Sequence, residues 1–424
     1  MEGQFARELT FDGWLLLVTR VTRLFAYGAV SVILVFYLRG LGLSEPQTGL
    51  LLTLTLAGDT AISLFLTTRA DRIGRRRMLI AGALLMAGAG LVFALTSNPL
   101  LLMLAGTLGV ISPSGNEVGP FLPIEQAALA QVVPDRKRTS VFAWYTLAGS
   151  FATALGSLCG GVIPQMWQSN AMMAGGGYRA VVVLYASLGL LLAFLFTRLS
   201  PAAEVAKAGT AAASSKNSFF GLVHSRKVVL KLSSLFALDS FAGGFVVQSF
   251  AAYWFYLRFG ASPSMLGAIF FGANVFAGVS ALLASRLASR FGLLRTMVFT
   301  HLPSNVLLIL VPLMPTLPLA ISILFLRFSI SQMDVPTRQS YLMAVVPSEE
   351  RSAAAGITGI ARTIGASIAP LLVGQLFARP RLISLPFLIA GALKIVYDIL
   401  LYRGFASIQP PEERARPADR PVKS

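Results

Sequence analysis

A single cysteine, two histidines and a charged fraction of only 12% set the first limits on this 424-residue chain. One cysteine, Cys159, cannot form a disulfide within the chain, and its apolar neighbours offer nothing to a thiolate metal site. The histidines, His224 and His301, lie far apart and without ligand spacing, so no metal and no cofactor are expected. Scarcity of charge argues against an ordinary soluble domain, since 55% of the residues are hydrophobic and the mean hydropathy is +0.72. Acidic residues are the rarer sign, 18 against 35 Lys and Arg, for a formal net charge of +17. That surplus would serve a nucleic acid only if gathered on one face. Here it is scattered in short clusters between apolar runs, and no nucleic-acid partner is expected. A long polar stretch, such as a receptor or scaffold domain needs, is also missing. The solvent that fits this composition is the lipid bilayer.

Apolar runs of spanning length, about 20 residues each, are what the chain has in abundance. Twelve follow one another, at 14–38, 46–67, 78–96, 99–133, 139–163, 178–198, 228–257, 262–285, 295–315, 318–346, 350–378 and 382–403. The first is too long for the apolar core of a cleaved signal and carries Arg20 and Arg23, so it reads as a retained span. One polar, low-complexity bridge at 199–227, with Pro201 and the stretch KAGTAAASSKN, separates the first six spans from the last six. The expected organisation is a first half 1–198, a linker 199–227, a second half 228–403 and a tail 404–424. Lys and Arg gather in loops 67–77, 134–138 and 286–295, in the linker and in the tail. The alternate loops hold only Arg39, Arg179, Arg258, Arg379 and Arg381. Basic loops resist translocation, so both termini are expected to be cytoplasmic, in a multi-pass protein of the plasma or bacterial inner membrane.

The two halves resemble each other. At an offset of 213, VVPDRKRTSVFAW (132–144) lies over VVPSEERSAAAGI (345–357), with Pro123 over Pro336 and Gln126 over Gln339. Near the start, FYLRG (36–40) lies over FYLRF (255–259) and Gly74 over Gly292 at a similar offset. The expected fold is therefore all-α and integral to the membrane, twelve transmembrane helices in two pseudo-symmetric six-helix halves.

Between spans 2 and 3 stands TRADRIGRRRML (68–79). Gly74 permits a tight turn there, and the arginines hold the loop on the cytoplasmic side. This stretch is similar to the signature G-x-L-A-D-R-x-G-R-R of the major facilitator superfamily of secondary transporters. Ala70, Asp71, Arg72, Gly74, Arg75 and Arg76 match it, while Thr67 and Arg69 stand where Gly and Leu are usual. The resemblance, which the twelve spans and the repeat extend over nearly the whole chain, implies that Asp71 latches the loop onto the positive end of a helix starting near Ser348. A solvated basic loop is the other reading. In span 5, GSFATALGSLCGG (149–161) resembles the exporter signature ending G-P-x-x-G-G, with Ser157 in place of the proline. Gly149, Gly156, Gly160 and Gly161 would let helices approach closely, and close packing without an exporter role is the alternative. The repeat sets Pro370 over Ser157 and Gly374 over Gly161.

Ionisable residues inside the apolar runs cost a few kcal/mol each and call for a partner or a wet cavity. They are Arg20, Arg23, Asp59, Glu117, Glu125, Asp239, Arg327, Asp334, Arg338, Arg362, Lys394 and Asp398, six acids and six bases. The repeat sets Arg20 over Asp239 and Glu125 over Arg338, each pair of opposite sign. Spans 1, 4, 7 and 10 line the central cavity in the family. The alignment thus predicts a charged ring from Arg20, Arg23, Glu125, Asp239, Asp334 and Arg338, acting as a gate or as a static clamp. Asp334 with Arg338, and Lys394 with Asp398, are spaced to satisfy each other along one helix face. Asp59, with no base in its own span, is a candidate for proton exchange or a structural acid, and Asp239 is a second proton-coupling candidate. Glu117 lies in SPSGNEVGP (112–120), which interrupts span 4; it faces a substrate path or lies in a loop outside the bilayer.

These readings converge on a secondary transporter that moves a small organic solute by alternating access, in the direction of proton-coupled efflux and working as an antiporter and a monomer. An importer or facilitator of an organic anion, sugar or other metabolite has the same fold. An enzyme would need a clustered nucleophile, metal or acid–base set, and a paired carboxylate is the one such arrangement the sequence leaves open.

Overall fold

The computed structural model describes residues 10–116, 119–133, 135–168, 176–204, 222, 225–347 and 350–408. Fifteen α-helices run through them. They are α1 (Phe11–Gly40), α2 (Glu45–Ile73), α3 (Arg75–Leu95), α4 (Pro99–Leu108), α5 (Phe121–Val132), α6 (Asp135–Gln168), α7 (Gly176–Phe196) and α8 (Arg226–Gly244). There follow α9 (Gln248–Phe259), α10 (Pro263–Phe291), α11 (Leu293–Leu310), α12 (Leu317–Ser331), α13 (Asp334–Val345), α14 (Arg351–Phe377) and α15 (Leu385–Phe405). Eleven stretches of helix are long and apolar enough to cross a membrane. The twelfth span is the interrupted pair α4 and α5. Spans 7 and 10 are also broken, into α8 with α9 and α12 with α13.

Local chemistry sets the helix ends. Thr10 accepts the N–H of Gly13 at the start of α1, at 3.2 Å. Ser44 and Gln47 form a reciprocal capping box at the start of α2. Gly74 alone joins α2 to α3 and Gly292 alone joins α10 to α11, with φ of 117° and 90°. A side chain would strain both turns, so this repeated glycine makes the same helix–loop–helix corner twice.

Residues 109–113, which follow α4 without helix, are buried rather than looped into water: Val110, Ile111 and Ser112 are each nearly inaccessible. Carbonyls there and just beyond are satisfied by neighbouring side chains, as irregular backbone at membrane depth requires. Tyr185 donates to the Val110 carbonyl, Ser112 to that of Asn116 and Ser63 to that of Gly119. Glu117 itself lies outside the described residues.

The chain gathers into two compact units that do not coincide with the sequence halves. The first joins residues through Ala211 to Gly244–Val275 and Ser367–Pro386. The second comprises Ala212–Gly243, Phe276–Ala366 and the chain from Phe387. In the first unit α6 lies against α1: a Cβ at Gly156 would overlap the Phe25 carbonyl, one at Gly160 the Ala29 carbonyl, and one at Gly149 the side chains of Leu24 and Arg20. Gly161 packs on Pro263 and Gly267, and its repeat equivalent Gly374 packs on Glu45 and Gly49. These two contacts are counterparts in the repeat and tie parts of both sequence halves into one unit. The second unit is built on Val229, Leu232, Phe236, Met297, Tyr341, Tyr397 and Leu401, from spans 7, 9, 10 and 12. Large apolar side chains such as Leu91, Phe194, Leu326 and Ile368 stay exposed, as they would facing lipid.

Candidate functional site

The first unit holds one acid–base pair at its heart. Arg23 grips Glu125 through both prongs, at 2.7 and 2.8 Å, and both side chains are fully buried. Thr19 donates to the same carboxylate at 3.0 Å, and Tyr145 donates to its other oxygen. Four hydrogen bonds thus satisfy the fully buried carboxylate. Arg20, one turn from Arg23, lies over the ring of Tyr145, 4.1 Å from its centre. Asp59 is buried on α2, within electrostatic reach of Tyr185.

The second unit holds a larger cluster around Asp239 on α8. Lys394 donates to Asp239 Oδ1 at 2.5 Å and Arg338 to its Oδ2 at 3.0 Å. Arg338 also reaches Asp334, one turn away on α13, at 3.2 Å, as the spacing predicts. His301 on α11 adds a link outside the expected pairs. Its Nδ1 stands 2.9 Å from Asp398 Oδ1, and its Nε2 faces Asp239 Oδ1 at 3.8 Å. Asn305 donates to Asp398 Oδ2 at 2.9 Å. One imidazole therefore stands between two buried carboxylates. Its Nδ1 is held by Asp398 and its Nε2 faces Asp239, so the ring links the two acids.

These contacts revise the expected partners. Glu125 goes to Arg23 and Asp239 to Arg338 and Lys394, so each acid is paired inside its own unit rather than as the repeat alignment suggests. Lys394 and Asp398 do not turn to each other either. They share a helix face, but stronger acceptors and donors on α8 and α11 claim them. The signal for His301 was present as the His301/Asn305 spacing of one turn, opposite an acid in span 12, and only packing connects the three.

The signature loop is held by a residue outside the signature. Glu204, at the start of the linker, accepts the backbone N–H groups of Arg75 and Arg76 at 2.7 and 3.1 Å. It places a carboxylate on the uncapped, positive N-terminus of α3. Arg75 also donates to Gln131 at 2.8 Å. Arg72 and Arg76 are exposed, and Arg76 donates to the Leu199 carbonyl at 3.4 Å. The side chain of Asp71 and the residue Ser348 lie outside the described residues, so the expected latch falls there too.

A neutral clasp lies in the first unit. Gln248 donates to Ser31 at 2.8 Å and to Ser157 at 3.0 Å, and Asn274 donates to Gln248 at 3.1 Å. Ser249 donates through N and Oγ to the Pro113 carbonyl, at 3.0 and 2.7 Å. Ser157, standing where the exporter signature has proline, is the hydroxyl at which α6, α9 and α10 meet. Among the described residues no group of three or more His, Cys, Asp or Glu is arranged to hold a metal ion.

A family model described as Major Facilitator Superfamily matches residues 16–370 and 239–424. An uncharacterized membrane protein of Saccharomyces cerevisiae is 31% identical over 406 residues, 89% of this chain and 90% of that one. A Na(+), Li(+), K(+)/H(+) antiporter of Planococcus maritimus is 31% identical over 157 residues, 37% of this chain and 35% of its own. Among solved structures, a bacterial homolog of the human lysosomal transporter Spinster, inward-facing and occupied, superimposes with a TM-score of 0.73. The match has 16% identity and covers 96% of this chain and 98% of that one.

Proposed function

The chain belongs to the Major Facilitator Superfamily of membrane transporters, and on that premise we propose that it is a proton-coupled exporter of a small organic molecule, working by alternating access between two six-helix halves. The observation that carries the coupling is the chain Asp398–His301–Asp239. A proton arriving at His301 Nε2 turns a 3.8 Å approach into an ion pair with Asp239. That new bond competes with Lys394 and Arg338 for the same carboxylate, so protonation rearranges the contacts of four spans at once. Asp59 and Glu117 are secondary candidates. Arg20, Arg23, Glu125, Asp239, Asp334 and Arg338 form the charged lining of the cycle, with pairs kept inside each unit so that no ion is stripped when the halves move.

Export is supported by the span-5 likeness to exporters and by the partial similarity to an antiporter. Both termini are cytoplasmic in this reading, the membrane is the plasma or bacterial inner membrane, and the protein acts as a monomer. The loop 70–76 gates the cycle, with Asp71 its latch and Glu204 its anchor.

The test is reconstitution of the purified protein into vesicles of known orientation under an imposed pH gradient. Cargo movement that follows the gradient, with a matching change in internal pH, supports the reading. Movement that ignores the gradient and leaves internal pH unchanged removes proton coupling. The sign of movement separates exporter from importer.

A further inference from the structure

Exposed arginines stand at one end of two helix seams, one seam in each compact unit. In the first unit α3 and α7 run antiparallel in close contact. A Cβ at Gly90 would press on Ala186 and one at Gly189 on Ala87, the small-residue contact by which helices approach in lipid. The same register brings the end of α7 to the start of α3, where Arg76 donates to the Leu199 carbonyl at 3.4 Å. Arg77 and Arg198 are the next residues on either side of this contact, and both are exposed. The guanidinium of Arg198 lies over the ring of Phe194, 4.9 Å from its centre, and Phe194 is itself 53% exposed. Beyond the arginines the seam is apolar. Leu84 and Leu91 follow Arg77 at seven-residue steps on α3, beside Leu190 on α7, and all three are exposed.

The second unit repeats the pattern between α11 and α15. A Cβ at Gly391 would meet Ile309 and the Asn305 carbonyl, and the rings of Phe299 and Tyr402 touch edge to face, their centres 5.6 Å apart. Arg295, one turn before Phe299, and Arg403, next to Tyr402, are both exposed. Arg77 and Arg295 are each the third residue of their helix, just after a corner glycine. Lys231 of α8 adds another cation at this end, 3.3 Å from the Gly404 carbonyl. Exposed Phe299 and Val306 continue the apolar face of α11.

Acids do not neutralise these ends. Among the described residues none of Arg76, Arg77, Arg198, Arg295 and Arg403 forms an ion pair. Glu204 accepts backbone N–H groups of α3, and Asp12 accepts from Ser200. Positive-inside topology accounts for the sign of the charge at these helix ends. It gives no reason for arginines of two helices to converge where an apolar seam faces lipid.

We infer that each seam binds an anionic phospholipid, its phosphate held between the arginines of the two helices and its acyl chains lying along the exposed apolar side chains beyond them. Guanidinium N–H groups pair with phosphate oxygens, and basic sites between membrane helices select anionic headgroups. Stacking on Phe194 holds the planar fork of Arg198 in place and leaves its N–H edges open to such a headgroup.

The test is native mass spectrometry of the purified full-length protein, delipidated in detergent and titrated with dioleoyl phosphatidylglycerol or dioleoyl phosphatidylcholine. The acyl chains are identical and the headgroup charge differs. Two phosphatidylglycerol molecules should be retained, each about tenfold more tightly than phosphatidylcholine. Arg77→Gln with Arg198→Gln should weaken one of the two, by about fivefold for each arginine removed, and Arg295→Gln with Arg403→Gln should weaken the other. Lysine at the same positions keeps the charge and should recover part of the binding. Arg69→Gln with Arg290→Gln takes as much charge from exposed positions outside both seams and should leave binding unchanged. Equal retention of the two lipids, seam variants that bind like wild type, or a loss in the Arg69 and Arg290 control as large as in the seam variants would each overturn the inference. Displacement of phosphatidylglycerol by an equal concentration of glycerol phosphate would overturn the lipid as occupant. The comparison of the two lipids on the wild-type protein decides the matter even if a variant fails to fold.

Discussion

Arg23 meets Glu125 as a two-pronged, fully buried ion pair inside the first unit, at 2.7 and 2.8 Å. Removing one partner leaves the other charged and dry. Glu125→Gln should therefore destabilise the protein by about 3–5 kcal/mol, less if water enters. Replacing Arg23 by Met as well should recover much of the folded yield, and a double-mutant cycle should give a coupling energy for this pair. The same cycle on Glu125 and Arg338 should be additive. Strong coupling there and none with Arg23 would reverse the assignment.

His301→Gln should keep the folded yield but break the link between Asp398 and Asp239. Gradient-driven transport should fall while exchange at equal pH on both sides persists, because exchange needs no net proton movement. Asp398→Asn should act in the same direction through loss of the ring's anchor. Gradient-driven rates equal to wild type in both variants would exclude His301 from the proton path.

Glu204→Ala removes the carboxylate from the N-terminus of α3. Loss of a half-buried cap of this kind costs about 0.5–2 kcal/mol, so a modest drop in melting temperature is expected, with the basic loop residues unaltered. Glu204→Asp shortens the reach and should fall between. No change in either would make the cap incidental.

Gly156→Leu should abolish folded protein, because the new side chain would be driven into the Phe25 carbonyl, which is helix backbone and cannot yield. Gly88→Ala is the control: nothing lies within 4 Å of a Cβ there, and its melting temperature should match wild type or rise slightly. Size-exclusion chromatography of the two variants decides between steric exclusion and a general intolerance of glycine loss.

Asp71→Asn should leave the protein in the membrane yet slow transport, if the loop aspartate latches as proposed. Unchanged flux at equal expression would count against the latch.

Helix number and placement were legible because spanning helices announce themselves by length and hydropathy. The twelve runs fall on the observed spans within a few residues, and the repeated Gly74 and Gly292 mark two identical corners. The interruption of span 4 was legible from SPSGNEVGP, yet its burial was not. Whether irregular backbone sits in water or in protein depends on side chains far away, such as Tyr185 and Ser63, that supply its hydrogen bonds.

The sequence by itself determined that the chain lives in lipid, how often it crosses, and which charged residues within the spans call for a partner, since the cost of charge in hydrocarbon does not depend on neighbours. Partner choice was decided by tertiary structure alone. An acid at mid-membrane accepts whichever base packing brings within about 3 Å, and that distance is fixed by helix rotation and tilt. So Glu125 took Arg23, Asp239 took Arg338 and Lys394, and a histidine with no motif around it came to stand between two carboxylates.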